Sequence, residues 1–69
     1  MENLTREDVE EIPLGFYLIF WEGGGMSKAM ISVNRRGVRI INCLNWPANS
    51  YNAPLVDYVD DIEKMIFIM

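Results

Sequence analysis

The chain contains no histidine and only one cysteine, Cys43. Without histidine, the commonest general base and the commonest metal ligand are both missing. A single thiolate cannot be completed to a four-ligand zinc site, and an internal disulfide is excluded. Cys43 lies in the apolar run Ile40, Ile41, Cys43, Leu44. That is the setting of a small core hydrophobe rather than of a reactive thiol. Long hydrophobic runs are missing too: the longest, over residues 16–21, falls far short of the ~20 residues that span a bilayer. Bases are scarce, six against ten acids, for a formal charge of −4. Such a balance disfavours direct binding to nucleic acid or to an anionic membrane and favours a basic partner. The opening MENLTREDVEE is acidic where a secretory leader is basic. The expectation is a soluble, cytoplasmic protein.

What is present is a β-rich centre. Three runs over residues 16–21, 26–33 and 38–46 are rich in aromatic and β-branched side chains, and Glu22-Gly23-Gly24-Gly25 and Asn34-Arg35-Arg36-Gly37 separate them as glycine-marked turns. An antiparallel three-stranded meander follows. The second turn fits a type I turn closed by a left-handed glycine. This fixes a register in which Val33 faces Arg39, Ile31 faces Ile41 and Ala29 faces Cys43. The opposite face, with Met30, Ile40 and Leu44, is mixed and partly exposed. In the first strand both faces are apolar, which is typical of a central strand.

Helices are expected on either side of the meander. Thr5 is a good N-cap for a short helix over residues 6–11, with Leu4 and Val9 as its hydrophobic staple and Pro13 as its stop. Over residues 54–66, Leu55, Val56, Tyr58, Val59, Ile62, Met65 and Ile66 form a stripe of helical period, with Pro54 in the first turn. The sequence thus predicts one α+β domain over residues 1–69, a three-stranded antiparallel meander with a short N-terminal helix and a C-terminal amphipathic helix packed on one face. Residues 67–69 continue the helix, pair as a short strand or remain a greasy tail. A chain of 69 residues buries only roughly 60 % of its unfolded surface. With 51 % hydrophobic residues, it is expected to self-associate or to be completed by a partner.

Chemistry is narrowed by elimination. Asp60 and Asp61 are adjacent, and on a helix adjacent side chains diverge by about 100° rather than converging on one atom. Neither a catalytic nor a cofactor signature is present, no metal site is expected, and the chain is read as a non-enzyme. Two binding readings remain. In the first, Asp57, Asp60, Asp61 and Glu63 on the outer helix face steer the protein to a basic surface, one whose normal ligand is nucleic acid being a natural case. Tyr17, Trp21, Trp46 and Tyr51 supply anchoring area, although Tyr17 and Trp21 also suit a core strand and Trp46 and Tyr51 a lid over the core. In size and charge this set resembles the small acidic accessory proteins that phages use against host defence, such as anti-CRISPR and anti-restriction proteins. The resemblance implies an inhibitor of a host defence complex. In the second reading the chain is an oligomeric small-ligand or nucleotide-sequestering protein, with Gly23, Gly24, Gly25, Ser27 and Lys28 around the ligand and Arg35 and Arg36 beside it.

Overall fold

The computed structural model of the protein describes residues 4–46 and 53–69. It contains a five-stranded antiparallel sheet built from β1 (Gly15–Trp21), β2 (Met26–Val33), β3 (Arg39–Cys43), β4 (Ala53–Pro54) and β5 (Ile62–Phe67). The strands lie in the order β4-β3-β2-β1-β5, and each neighbouring pair is antiparallel. The expected meander is therefore only the middle of the sheet, and neither expected α-helix is present among the described residues. Both differences have physical causes.

The register of β2 against β3 is the one the turn dictates: Ala29 opposite Cys43, Ile31 opposite Ile41, Val33 opposite Arg39. Gly37 takes φ +81°, and the Asn34 side chain accepts hydrogen bonds from the Arg36 and Val38 amides at 2.9 and 3.0 Å. Asparagine holding its own turn in this way is the local chemistry that makes the hairpin.

The C-terminal segment divides in two. Residues Leu55–Asp61 form a 3-10 helix and Ile62–Phe67 form β5. The helix joins strands at opposite edges of the sheet, four spacings of about 4.8 Å apart. Seven residues reach about 14 Å in 3-10 winding but only about 10.5 Å as an α-helix, so the tighter winding suits the span. In β5 a register shift falls where Trp21 is opposite Ile62 but Phe20 is opposite Lys64, leaving Glu63 as the extra residue. A bulge of this kind breaks the two-residue alternation and lets positions three apart share a face. Ile62 and Met65 are both buried as a result. Their spacing imitates a helical stripe, which is why the sequence reads as helix there.

At the N-terminus, two successive turns replace the expected helix. The Asp8 amide donates to the Thr5 carbonyl at 3.1 Å, and the Glu11 amide donates to the Asp8 carbonyl at 2.9 Å. Thr5 still acts as a cap, its hydroxyl oxygen accepting from the Asp8 amide at 3.3 Å. Six residues ahead of a proline give too few helical bonds to offset nucleation. The turns instead send Leu4, Val9 and Ile12 into one buried cluster with Tyr17, Ile19, Ile31, Ile41, Leu55 and Met65. Polar anchors fix the segment: the Tyr17 hydroxyl donates to the Pro13 carbonyl at 2.6 Å, and Arg39 Nη2 donates to the Ile12 carbonyl at 3.4 Å.

Gly15 is where the chain end closes on β1. It takes φ +145°, and a Cβ there would lie 2.3 Å from the Met69 carbonyl oxygen and 2.8 Å from the Phe67 ring. Since backbone has to move, Gly15→Ala is expected to lower stability by about 3 kcal/mol, combining dihedral strain with overpacking. By contrast, a Cβ at Gly23 meets nothing within 4 Å, and Gly23→Ala should change stability by less than about 1 kcal/mol in denaturant melts. Equal effects at the two glycines would contradict this packing of the C-terminus.

Candidate functional site

Strand alternation gives the sheet two unlike faces. The first carries Tyr17, Ile19, Ala29, Ile31, Ile41 and Cys43, and its cluster takes in residues of both the N-terminal turns and the 3-10 helix. The outer surface of that cover is acidic. The turns bring Glu7, Asp8, Glu10 and Glu11, and the 3-10 helix brings Asp57, Asp60 and Asp61. With three residues per turn, Asp57 and Asp60 stand on one ridge, and all three helix aspartates are exposed. Arg6 reaches Asp60 at 3.6 Å with both side chains largely in solvent, 63 % and 82 %, so the pair contributes little to stability. Glu63, expected with the aspartates on one helix face, belongs instead to β5.

The anticipated aromatic anchors are mostly structural. Tyr17 is 1 % exposed and packs edge-on against Phe67 with ring centroids 5.2 Å apart. It is a core residue, because its place opposite Ala29 in the register puts it beneath the cover, and it cannot touch a partner. Trp21 donates through Nε1 to the Ser27 hydroxyl at 3.0 Å. Tyr58 of the 3-10 helix lies between Trp21 and Trp46, at 6.3 and 5.4 Å. These half-buried rings pin the helix to the sheet, so Trp46 matches the lid reading. Tyr51 lies outside the described residues.

The residues of the ligand-binding alternative are scattered. Gly23, Gly24 and Gly25 form a tight exposed reversal, in which the Trp21 amide donates to the Gly25 carbonyl at 3.1 Å. Ser27 points into the buried face and Lys28 lies on the opposite one. Arg35 and Arg36 sit on the turn at the other end of β2, whose eight residues span about 26 Å. These groups do not surround one ligand. Among the described residues, no group of three or more histidine, cysteine, aspartate or glutamate side chains could hold a metal ion. Nor is any helix long and apolar enough to cross a membrane.

On the second face of the sheet Ile40, expected to be partly exposed, is buried at 3 % exposure, while the part over β2, β1 and β5 carries no covering element among the described residues. Phe16 stands opposite Met30, and Leu18 opposite Lys28. On the outer side Leu18 faces Ile66, and Phe20 faces Lys64. Ile68 donates its amide to the Phe16 carbonyl at 2.8 Å. Met30, Leu44, Ile66 and Ile68 are between 37 % and 60 % exposed. A recess of about 340 Å³ lies between Phe16, Lys28, Leu44, Ile68 and Met69. Sequence reasoning placed Met30 and Leu44 together on one partly exposed face, but it also placed Ile40 there as exposed and did not show that residues 64, 66 and 68 extend that face. The signal that finds it is the alternation of Lys64, Ile66 and Ile68, which is visible only when residues 62–67 are taken as a strand.

Cys43 is 1 % exposed. Burial pushes its thiol up from 9.0 to about 11, and the neighbouring Ser27 hydroxyl offsets part of the rise. Burial likewise raises the Tyr17 phenol above 10.0, with the Arg39 guanidinium opposing. Both groups carry the same sign: they are neutral in the folded and unfolded chain at low pH, and the unfolded chain ionises first as pH rises. Stability is therefore expected to be indifferent to Cys43 below pH 9 and to fall as pH climbs from 9 towards 11. In the folded protein at pH 8, alkylation of Cys43 should run at least about a hundredfold slower than that of a free thiol. Rapid alkylation without unfolding would contradict the burial.

Comparison of the chain with protein-family models, with curated proteins and with solved structures found no match.

Proposed function

We propose that the chain is a non-catalytic protein-binding domain that engages a basic partner surface through its acidic cover, as an inhibitor of a host defence complex of the phage type would. The observation that carries the reading is the charge of the covering layer. Four carboxylates on the N-terminal turns and three on the 3-10 helix share that layer with one base, Arg6. Acids of the same sign on one surface raise a field that speeds encounter with a basic patch and repels nucleic acid. A buried, protonated Cys43 suits a reducing cytoplasm, where we place the protein. Self-association or completion by a partner belongs to the same proposal, since so small a body leaves much apolar surface uncovered.

The test is comparative capture from the native host with the parent chain and with the variant Asp57→Asn/Asp60→Asn/Asp61→Asn/Glu63→Gln. The parent should retain a protein with a basic surface, and raising salt from 0.05 to 0.5 M should weaken retention, because exposed charges are screened within about 10 Å at 0.1 M salt. The variant should lose at least about tenfold in association rate while its unfolding midpoint stays level or rises, as like-charge repulsion is relieved. Retention that survives both the four amides and high salt would overturn the proposal.

A further inference from the structure

We infer that the open face of the sheet is a docking site for an acid-bearing amphipathic helix of a partner protein. This surface is separate from the acidic cover, and the inference does not depend on the function proposed for that cover. The residues that define it are Phe16, Leu18, Met30, Leu44 and Ile68 around the recess, with Lys28 among them.

Charge complementarity selects the occupant. Among the described residues the ion pair formed is that of Arg6 with Asp60 and does not involve Lys28, and the Lys64 ammonium lies 5.0 Å from the centre of the Phe20 ring. Aspartate and glutamate are absent from the rows that Phe16, Leu18 and Phe20 make with their neighbours in β2 and β5. An apolar surface that carries ammonium groups is best covered by an apolar stripe flanked by carboxylates, since a desolvated cation needs a counter-charge. The acidic cover does not cancel this preference. The molecule is 23 Å across its shortest extent, whereas charges are screened within about 8 Å at physiological ionic strength.

Size separates a helix from a second copy of the chain. Four strands at about 4.8 Å spacing and five residues at about 3.3 Å give a platform on the order of 300 Å². Two folded bodies in a stable complex commonly bury about 800 Å² each. A second copy laid face to face also brings two more lysines to the contact. One helix of about 10 Å diameter, in contrast, fits the platform and sets one of its apolar side chains into the recess.

The experiment uses the full chain labelled at its methionine methyl groups. Met26, Met30 and Met69 report on the open face and its rim, and the buried Met65 reports on the interior. The probes are an 18-residue amphipathic helical peptide of leucine and glutamate, the same peptide with lysine for glutamate, and phosphatidylglycerol vesicles. The glutamate peptide should shift the Met30 and Met69 signals and leave Met65 in place. Its affinity should fall about tenfold in K28M/K64M, and K28E/K64E should reverse the preference between the peptides. Both variants alter exposed or half-exposed side chains, and circular dichroism verifies that they fold. The inference is overturned if the two peptides shift the open-face signals equally, if only the vesicles do, or if these signals move with protein concentration alone, the mark of a second copy.

Discussion

Strand β1 has apolar side chains on both faces and hydrogen-bonding groups on both edges, and the rest of the fold answers those two demands. β2 fills one edge through a glycine reversal. The other edge has to be filled from far along the chain, because the sequence before β1 is acidic, turn-rich and stopped by Pro13. β5 supplies it: Tyr17 is opposite Phe67, Leu18 opposite Ile66 and Ile19 opposite Met65. Once β5 holds that position, the 3-10 helix must cross the sheet to reach it. Crossing the sheet is what closes the core. Leu55 and Val59 then lie over Ile41 and Cys43 in one cluster with the N-terminal Leu4, Val9 and Ile12.

The same crossing makes the molecule two-sided. Among the described residues the sheet has one covered face and one largely open face, and the acids are sorted accordingly. Aspartates of the 3-10 helix and glutamates of the turns point away from the sheet into solvent, where charge is retained without cost. Lysines 28 and 64 fall on the open side because their strand positions alternate with buried ones. Charge separation across the sheet is therefore a consequence of register and not of any single ion pair; Arg6 with Asp60 is too exposed to set it. Both binding proposals follow from this separation, one for each side.

How much of this was legible depended on whether the signal was local. Asn34 and Gly37 build their turn from their own side-chain and backbone chemistry, so the β2–β3 register could be derived residue by residue. Thr5 was also legible as a cap, but a cap does not make a helix when the segment is short and its apolar residues are needed underneath. Ile62 and Met65 misled for a different reason: a bulge at Glu63 produces the same three-residue spacing as a helix, and only the unfilled edge of β1 distinguishes the two. That edge was implied by the two-sided apolar character of residues 16–21. The aspartates were readable as exposed under either secondary structure, because their charge keeps them outside. Tyr17 was readable as a core-strand residue from the two-sided apolar character of residues 16–21, and the register against Ala29 decides that reading over the partner-facing one. The partly exposed face at Met30 and Leu44 was legible from the β2–β3 register, but its extension through Lys64, Ile66 and Ile68 was not until β5 supplied the alternation.

Pairing of β5 with β1 is thus the claim on which core, cover and open face all depend, and proton–proton contacts by nuclear magnetic resonance test it directly. The account predicts cross-strand contacts between the α-protons of Tyr17 and Phe67 and of Ile19 and Met65, with slowly exchanging amides at Leu18 and Ile66. Helical contacts running from residue 62 to 66, with no contact between these residues and β1, would contradict it.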